Sequence, residues 1–256
     1  MTLPKDSPGR VLAVATLVCV VCAVLVSAAV VLLRPVQDRN ALLQRQRNIL
    51  EVAGLYEPGQ RVEAQFERVE ARVVDLASGD YVEGGDALRF DIARSARDPK
   101  LGEPVAATAD LAKIHRRPRS MPVFLVRGDD GLETVILPVH GYGLWSTMYA
   151  YVALDGRGER VKGITFYSHA ETPGLGAEID NARWRGTWIG KRLFDDSGQV
   201  RFDIAKGAPA AADAEHHVDA LSGATLTSVG VENMIHYWLG EQGFGPFLAR
   251  LRSGEA

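Results

Sequence analysis

Apolar residues form one long uninterrupted run near the start of the chain. From Val11 to Leu33 there is no charged residue, no glycine and no proline. A helix needs about 20 predominantly apolar residues to cross the hydrocarbon core of a bilayer. The run therefore predicts a transmembrane helix over residues 11–33, preceded by a short polar segment over residues 1–10.

A cleaved signal peptide is the alternative interpretation of this run. Lys5 and Arg10 precede it, and Ser27-Ala28-Ala29 provides small residues near a cleavage site. The apolar core of a signal peptide is usually about 7–15 residues long. This run is longer and continues to Leu33, which favours an anchor that is not cleaved.

Residues 34–119 mix polar and apolar positions. Arg34-Pro35 is expected to end the membrane helix, and Asp38 to cap a stalk helix that runs to about Ala53 and stops at Gly54. Helical spacing predicts a further helix from Val62, Phe66, Val69 and Val73. Polar residues and three prolines predict a long surface connection over 94–119.

Short apolar runs predict strands after residue 120. Five of them lie at 122–126, 134–137, 148–154, 161–167 and 200–204. Short turns between consecutive strands favour antiparallel pairing. The sequence therefore predicts an α+β soluble domain with a mostly antiparallel sheet, in which residues 34–119 form the stalk and the N-terminal part and residues 120–256 the main domain.

The strongest helical pattern lies near the C-terminus. Its apolar positions follow the i, i+3, i+4, i+7, i+8 spacing of a buried helix face and are Val231, Met234, Ile235, Trp238 and Leu239. Gly240 is expected to end this helix. A second short helix is predicted over residues 244–251.

Composition and charge exclude several broad classes of protein. The chain has 256 residues, of which 46% are apolar and 24% charged, close to the globular average, so a disordered chain is excluded. A net charge of −3 provides no basic surface for nucleic acid. Cys19 and Cys22 are the two cysteines of the chain, so a disulfide scaffold is also excluded.

No common catalytic motif is present. The sequence lacks a GxGxxG motif, a Walker loop, a GxSxG motif and an HExxH motif. His216 and His217 are adjacent, but neighbouring residues on a strand point to opposite faces, so a solvated pair is expected rather than a metal site. Cys19 and Cys22 lie one helical turn apart and favour a helix–helix contact; a redox site completed by another subunit is the alternative.

Three segments in the second half combine glycine with residues suited to ligand binding. They are 138–146, 169–176 and 219–228. The third places Ser222, Thr225, Thr227 and Ser228 at the start of the C-terminal helix, where unpaired N–H groups favour an anion. An ordinary helix cap is the alternative interpretation of these hydroxyl residues.

The third segment resembles the flavin attachment motif of the FMN-binding domain family. Asp219-Ala220-Leu221-Ser222-Gly223-Ala224-Thr225 matches the pattern Asp-x-x-Ser-Gly-Ala-Thr. Further segments resemble, in the same order, the C subunits of the bacterial sodium-translocating NADH:quinone reductases, namely 34–35 with 45–50, 143–146, 169–176 and 243–248. The resemblance covers essentially the whole chain, least clearly residues 78–119.

The resemblance implies one FMN, joined through its phosphate to Thr225 by a flavin transferase that reads Asp219. The residues expected around the phosphate are Ser222, Gly223, Ala224 and Thr227, and those expected around the ring system are Leu144, Trp145, Thr172, Leu175 and Gly176. No catalytic residue and no metal site are implied. His169 and Glu171 are expected to stabilise a turn, with an acid–base pair as the alternative.

The resemblance also implies a place in a membrane complex of six subunits. The protein would relay electrons from the iron–sulfur subunits to a second FMN on the B subunit and then to quinone, while the complex exports sodium. Its domain would lie in the periplasm, on a single-pass anchor in the inner membrane, with residues 1–10 in the cytoplasm. Arg34, Arg39, Arg45 and Arg47 after the span favour a cytoplasmic domain instead, but a long domain crosses the membrane largely regardless of such charges.

Two other functions are kept as alternatives. The G subunit of an Rnf-type ion-translocating electron transport complex shares the anchor and the flavin motif, although the longer domain and residues 243–248 favour the sodium pump. The other alternative is a membrane-anchored binding or assembly module with no redox role.

Overall fold

The computed structural model describes residues 8–129 and 131–255. Most of the predicted cytoplasmic segment, residues 1–7, lies outside the described residues, as does Asp130 of the turn predicted between the first two strands. The chain divides into two compact units between residues 44 and 45. Each unit is described separately.

Helix α1, Pro8–Val52, contains the apolar run of the first unit. Over its best 18-residue window the mean hydropathy is 3.0 and no residue is buried. By length and composition it is the one helix in the described part of the chain that is able to cross a membrane. Cys19 and Cys22 are both exposed on it, as free thiols.

The helix break predicted at Arg34-Pro35 and the new start at Asp38 are wrong. Helix α1 is 45 residues long in total and continues through Pro35. Proline inside a helix removes one hydrogen bond and costs about 3 kcal/mol, but the helix extends for many residues on both sides of Pro35, and their cooperative hydrogen bonding outweighs this cost. The predicted stop is confirmed, because the helix ends at Val52 and Gly54 has a φ of +70°.

The second unit is built on a six-stranded antiparallel sheet. Its strands are β1 Val69–Asp75, β2 Tyr81–Val82, β5 Ser120–Gly128, β6 Gly131–Tyr142, β7 Thr147–Asp155 and β8 Val161–Ser168. They lie in the order β2-β1-β5-β6-β7-β8, so the four long strands predicted between 122 and 167 are confirmed. Strands β1 and β5 pair along the whole of β1, so residues on both sides of the predicted boundary at 119/120 share one sheet.

The helix predicted from the spacing of Val62, Phe66, Val69 and Val73 is wrong in its second half. Helix α2 covers only Val62–Phe66, and strand β1 begins at Val69. In β1, Val69 pairs with Val126 and Val73 with Pro122 of β5. Sheet pairing with a distant segment therefore overrides the local helical spacing.

The polar connection predicted over 94–119 contains regular structure. It includes most of helix α3, Ile92–Arg97, and an antiparallel pair formed by β3, Gly102–Pro104, and β4, Arg116–Pro118. The backbone N–H of Arg94 donates to the Asp91 carboxylate at 2.9 Å, which caps α3. Two prolines of this segment stand at strand ends, where a missing N–H is tolerated.

Apolar side chains cover both faces of the sheet. On one face packs helix α5, Thr225–Leu239, whose predicted residues Val231, Met234, Ile235, Trp238 and Leu239 are all buried. On the other face pack Ile49, Leu50 and Val52 from the end of α1. Because side chains alternate along a strand, Leu137 faces the α5 side and Ile136 the α1 side.

The remaining elements follow β8 along the chain. They are a 3-10 helix at Gly176–Asp180, helix α4 at Ala182–Gly186, strand β9 at Asp203–Ala205, a 3-10 helix at Ala211–His216, strand β10 at His217–Asp219 and helix α6 at Gly245–Ser253. Strands β9 and β10 pair in parallel. The strand predicted at 200–204 is thus shifted toward the C-terminus, and the predicted second short helix is confirmed as α6.

Candidate functional site

The three glycine-containing segments meet at the carboxylate of Glu171. Its Oε1 accepts from the backbone N–H of Trp145 at 3.0 Å and of Leu144 at 3.1 Å. Its Oε2 accepts from the hydroxyl of Thr227 in α5 at 2.6 Å. One buried side chain, 4% exposed, therefore joins the loop after β6, the loop after β8 and the start of α5.

Glu171 is held as a carboxylate by these contacts. Burial alone would raise the pKa of Glu171, but the hydrogen bonds from the Thr227 hydroxyl and from backbone N–H groups outweigh burial and lower it. His169 completes the turn, because it donates from Nε2 to Asp180 at 2.8 Å and accepts the N–H of Glu171 at Nδ1. These contacts match the expected turn-stabilising role of His169 and Glu171.

Two glycines allow the loops to approach Glu171 closely. A Cβ on Gly143 would lie 2.6 Å from Glu171 Oε1, and a Cβ on Gly176 would lie 2.5 Å from Thr227 Oγ1. Any larger residue at either position would push the segments apart. Gly176, which is expected beside the ring system, is buried at this contact.

The start of helix α5 is open. Ala224 occupies the N-cap position and no side chain caps the helix, so the first backbone N–H groups have no capping acceptor. Gly223 precedes it with a φ of +76°, a conformation that favours glycine. Thr225 is exposed at the first helical position, and Ser222 is exposed before it. The structure therefore excludes the alternative interpretation of these residues as an ordinary hydroxyl cap.

Thr227 has a different role from the one expected. It was expected to donate to a phosphate, but it is fully buried and its hydroxyl donates to Glu171. Thr225 and Thr227 are two residues apart on a helix and point in different directions. Thr225 presents its side chain outward, while Ser228 is buried and accepts the N–H of Leu221 at 3.0 Å.

Exposed apolar side chains surround this open helix start. Leu144, Trp145 and Leu175 are exposed as expected for a binding slot, Trp145 at 65%, and Thr172 is exposed as well. A Cβ on Gly223 would lie 3.0 Å from Leu175 Cδ2, so Leu175 borders the motif directly. Sequence reasoning missed two more exposed apolar side chains of these segments, Tyr142 and Leu226, and also Val229 one turn further along α5.

The helical spacing of Leu226 and Val229 is visible in the sequence and could have indicated that both are exposed. They are one helical turn apart on α5 and off the buried face defined by Val231, Met234 and Ile235. Two apolar residues on the outer side of an amphipathic helix point to a contact with a ligand or a partner.

Asp219 lies at the end of β10, before the open helix start. Its carbonyl accepts from Trp184 Nε1 at 2.8 Å, and its side chain is exposed. The expectation that His216 and His217 are a solvated pair is wrong, because both are buried. His216 Nδ1 donates to the carbonyl of Arg192 at 3.0 Å, and His217 lies beside Asp219.

No group of three or more histidine, cysteine, aspartate or glutamate side chains suited to a metal ion occurs among the described residues. The site consists of an open helix start and an apolar surface. The unpaired N–H groups of the helix start favour an anionic group, and the exposed apolar side chains favour an apolar one. The buried carboxylate of Glu171 is already occupied by donors from Thr227 and the backbone.

The FMN-binding domain family matches residues 143–240, from the loop after β6 to the end of α5. The chain is 50% identical to the C subunit of the Na(+)-translocating NADH-quinone reductase of Pseudomonas aeruginosa, over 98% of this chain and 99% of that protein. It is also 50% identical to the C subunit of the Yersinia pestis reductase, over 98% of this chain and 95% of that protein.

Solved structures agree with these sequence relatives. The crystal structure of Shewanella oneidensis NqrC is similar with a TM-score of 0.78 and 34% identity, over 84% of this chain and 99% of that chain. A crystal structure of the C subunit from Parabacteroides distasonis is similar with a TM-score of 0.67 and 29% identity, over 84% and 96% respectively.

Proposed function

Because the chain belongs to the family of the C subunits of Na+-translocating NADH-quinone reductases, we propose that it carries one FMN, covalently attached through its phosphate to Thr225, and serves there as an electron carrier. The observation that supports this most directly is the uncapped start of α5 with Thr225 exposed on it. A phosphodiester keeps one negative charge, which helix N–H groups and the helix dipole stabilise.

Attachment requires a nucleophile and an activated phosphate. The Thr225 hydroxyl would form the new O–P bond, and a flavin dinucleotide donor would lose AMP as its diphosphate linkage breaks. The proton of the hydroxyl would pass to a base of the flavin transferase. Asp219, exposed six residues before Thr225, is the residue that we expect the transferase to read.

The surrounding residues fit the rest of the group. Leu144, Trp145 and Leu175 provide an apolar surface for the isoalloxazine ring, with Thr172 and Ser222 at its polar edge. The bound flavin would supply reversible electron uptake and release. Glu171 does not act as an acid or base in this proposal, because its oxygens accept hydrogen bonds from Thr227 and the backbone.

We place the protein on the electron path that runs from the iron–sulfur subunits of the membrane to the FMN of the B subunit and on to quinone, in a complex of six subunits that exports sodium. Helix α1 would anchor it in the inner membrane and the domain would face the periplasm. The exposed apolar side chains Trp145, Leu226 and Val229 support a surface that comes close to neighbouring carriers. The curated relatives that share half of the sequence are named as C subunits of the sodium pump, which favours this complex over the Rnf type.

The proposal is tested by expressing the full chain with and without a flavin transferase. On a denaturing gel under ultraviolet light, a fluorescent band at the mass of the chain is expected only with the transferase. Cells that express the transferase alone are the control. A band that stays dark with an active transferase would contradict the proposal and would favour an anchored binding or assembly module.

A further inference from the structure

Strands β9 and β10 bring three polar side chains to one face of a small parallel sheet. His217 is opposite Asp203 in the register, and Asp219 is opposite Ala205. Side chains two residues apart on a strand share a face. The strand pairing therefore places His217 between the carboxylates of Asp203 and Asp219.

The two ring nitrogens of His217 face the two carboxylates. Nδ1 lies 2.8 Å from Asp203 Oδ2, and Nε2 lies 3.4 Å from Asp219 Oδ1. A carboxylate only accepts hydrogen bonds, so a ring nitrogen donates to it only when that nitrogen carries a proton, and the two contacts together use the imidazolium form of the ring. His217 is 6% exposed, whereas the side chain of Asp219 is 76% exposed. A buried ring thus contacts a largely solvated acidic side chain.

Asp219 is accessible from a groove beside the attachment motif. The groove has a volume of about 840 Å³, and its lining includes Lys191, Lys206, His217, Asp219 and Ser222. Its position lets a second protein reach Asp219 and Ser222 together. The main chain of Asp219 is already fixed by Trp184, so the remaining freedom at this residue is in its side chain.

We propose that His217, itself held by Asp203, is a positioning residue that orients the Asp219 carboxylate for the flavin transferase. This inference rests on the proposed attachment of FMN to Thr225. His217 is placed to contact Asp219 and not the reacting hydroxyl. It acts by keeping Asp219 in one orientation, so that the transferase meets the motif in the arrangement that it recognises.

The test is the rate of flavin attachment to the full-length chain in detergent, followed by intact mass with purified transferase, FAD and Mg²⁺. His217→Ala and His217→Asn are expected to slow attachment by roughly tenfold or more, since misplacement of a group by about 1 Å has effects of this size. His217→Gln is expected to be clearly faster than His217→Ala but slower than the wild type, because its amide N–H₂ takes the place of Nε2 while the contact with Asp203 is lost. Asn places its amide near Nδ1 and leaves Asp219 without a donor.

Asp203→Ala provides a second variant that does not depend on a buried substitution, since the Asp203 side chain is 57% exposed. It should also slow attachment, because the His217 ring loses its shorter contact. Asp213→Ala is the matched control, a partly exposed aspartate of the same region that pairs with Arg201 instead, and should load like the wild type.

Equal rates for His217→Ala, Asp203→Ala and the wild type would overturn the inference. A His217→Gln variant as slow as His217→Ala would also overturn it, because the role would then be one of packing. A wild-type chain that never loads would instead contradict the proposed function itself. Thermal unfolding of each variant shows whether it folds. If a His217 variant does not fold, the attachment rate of Asp203→Ala decides whether the inference holds.

Discussion

At the residue scale, the partners of each polar side chain decide its role. Four hydroxyl residues lie between positions 222 and 228, namely Ser222, Thr225, Thr227 and Ser228. Spacing alone cannot assign their roles, because successive helical residues point in different directions and the docking angle of the helix is unknown beforehand. In the structure the Thr227 hydroxyl donates to the Glu171 carboxylate, whereas the Thr225 side chain is exposed.

Replacement of Glu171 by glutamine should loosen the site. The amide offers one acceptor oxygen where the carboxylate offers two, so a buried donor is left unpaired at a cost of about 1–3 kcal/mol. The free energy of unfolding, measured by thermal or urea denaturation at neutral pH, should fall by this amount. Glu241→Gln, at an exposed position, is the control. An unchanged stability would contradict the central role of Glu171.

The same carboxylate predicts a pH dependence. The pKa of Glu171 in the folded chain lies below its ordinary value of 4.5, so its stabilising contribution is complete above that pH. The contribution is lost as the pH falls through the lowered pKa. The stability difference between wild type and Glu171→Gln should therefore shrink below pH 4.5. A difference that stays constant down to strongly acidic pH would contradict this prediction.

Asp219→Ala should impair flavin attachment without unfolding the chain. The side chain is exposed, and the main-chain carbonyl of this residue makes the contact with Trp184, which alanine keeps. The loaded fraction is measured by in-gel flavin fluorescence against protein stain. Full loading of Asp219→Ala at the wild-type rate would remove Asp219 from the attachment motif.

At the element scale, local patterns predicted the elements whose apolar positions repeat over many residues. Strands β5 to β8 and helix α5 are of this kind. Strand β1 was missed because its apolar residues also fit a helix, and its pairing joins distant positions such as Val69 and Val126. Neither the meeting of three loops at Glu171 nor the contact of His217 with Asp219 can be seen without that tertiary arrangement.

The packing of the loop after β8 against α5 predicts a large effect at Gly176. In Gly176→Ala the new Cβ would lie 2.5 Å from Thr227 Oγ1 and 2.9 Å from Glu171 Oε2. Overpacking of this kind usually costs about 1–3 kcal/mol. Gly186→Ala is the control, because a Cβ there has no neighbour within 4 Å. Thermal unfolding should show a lower midpoint for Gly176→Ala only, and equal midpoints would contradict the packing.

At the scale of the whole molecule, the residues of helix α1 are divided over both units. Its apolar part was predicted as an anchor from length and hydropathy, but its last residues were expected to form only a stalk. Ile49, Leu50 and Val52 are instead buried against the sheet, and Arg45 donates to the carbonyl of Phe90 at 3.1 Å. A local pattern reveals an apolar helix face, but not which surface covers it.

This division predicts where the chain can be shortened. Removal of residues 1–33 should give a soluble domain that folds, because the buried end of α1 is kept. Removal of residues 1–53 should strongly destabilise the domain, since deletion of even one buried Leu or Ile side chain costs about 2–5 kcal/mol. Solubility and cooperative thermal unfolding distinguish the two. Aggregation of the chain that lacks residues 1–33, or normal folding of the chain that lacks residues 1–53, would contradict this prediction.

Esterification of a flavin nucleotide to the hydroxyl of Thr225 is tested most directly by mass. The measurement is the intact mass of the full chain after co-expression with a flavin transferase, followed by peptide mapping. We expect an added mass of one FMN less one water, on the peptide that contains Thr225, and an unmodified but folded Thr225→Ala variant. A bare wild-type chain, or an added flavin that persists in Thr225→Ala, would contradict the attachment.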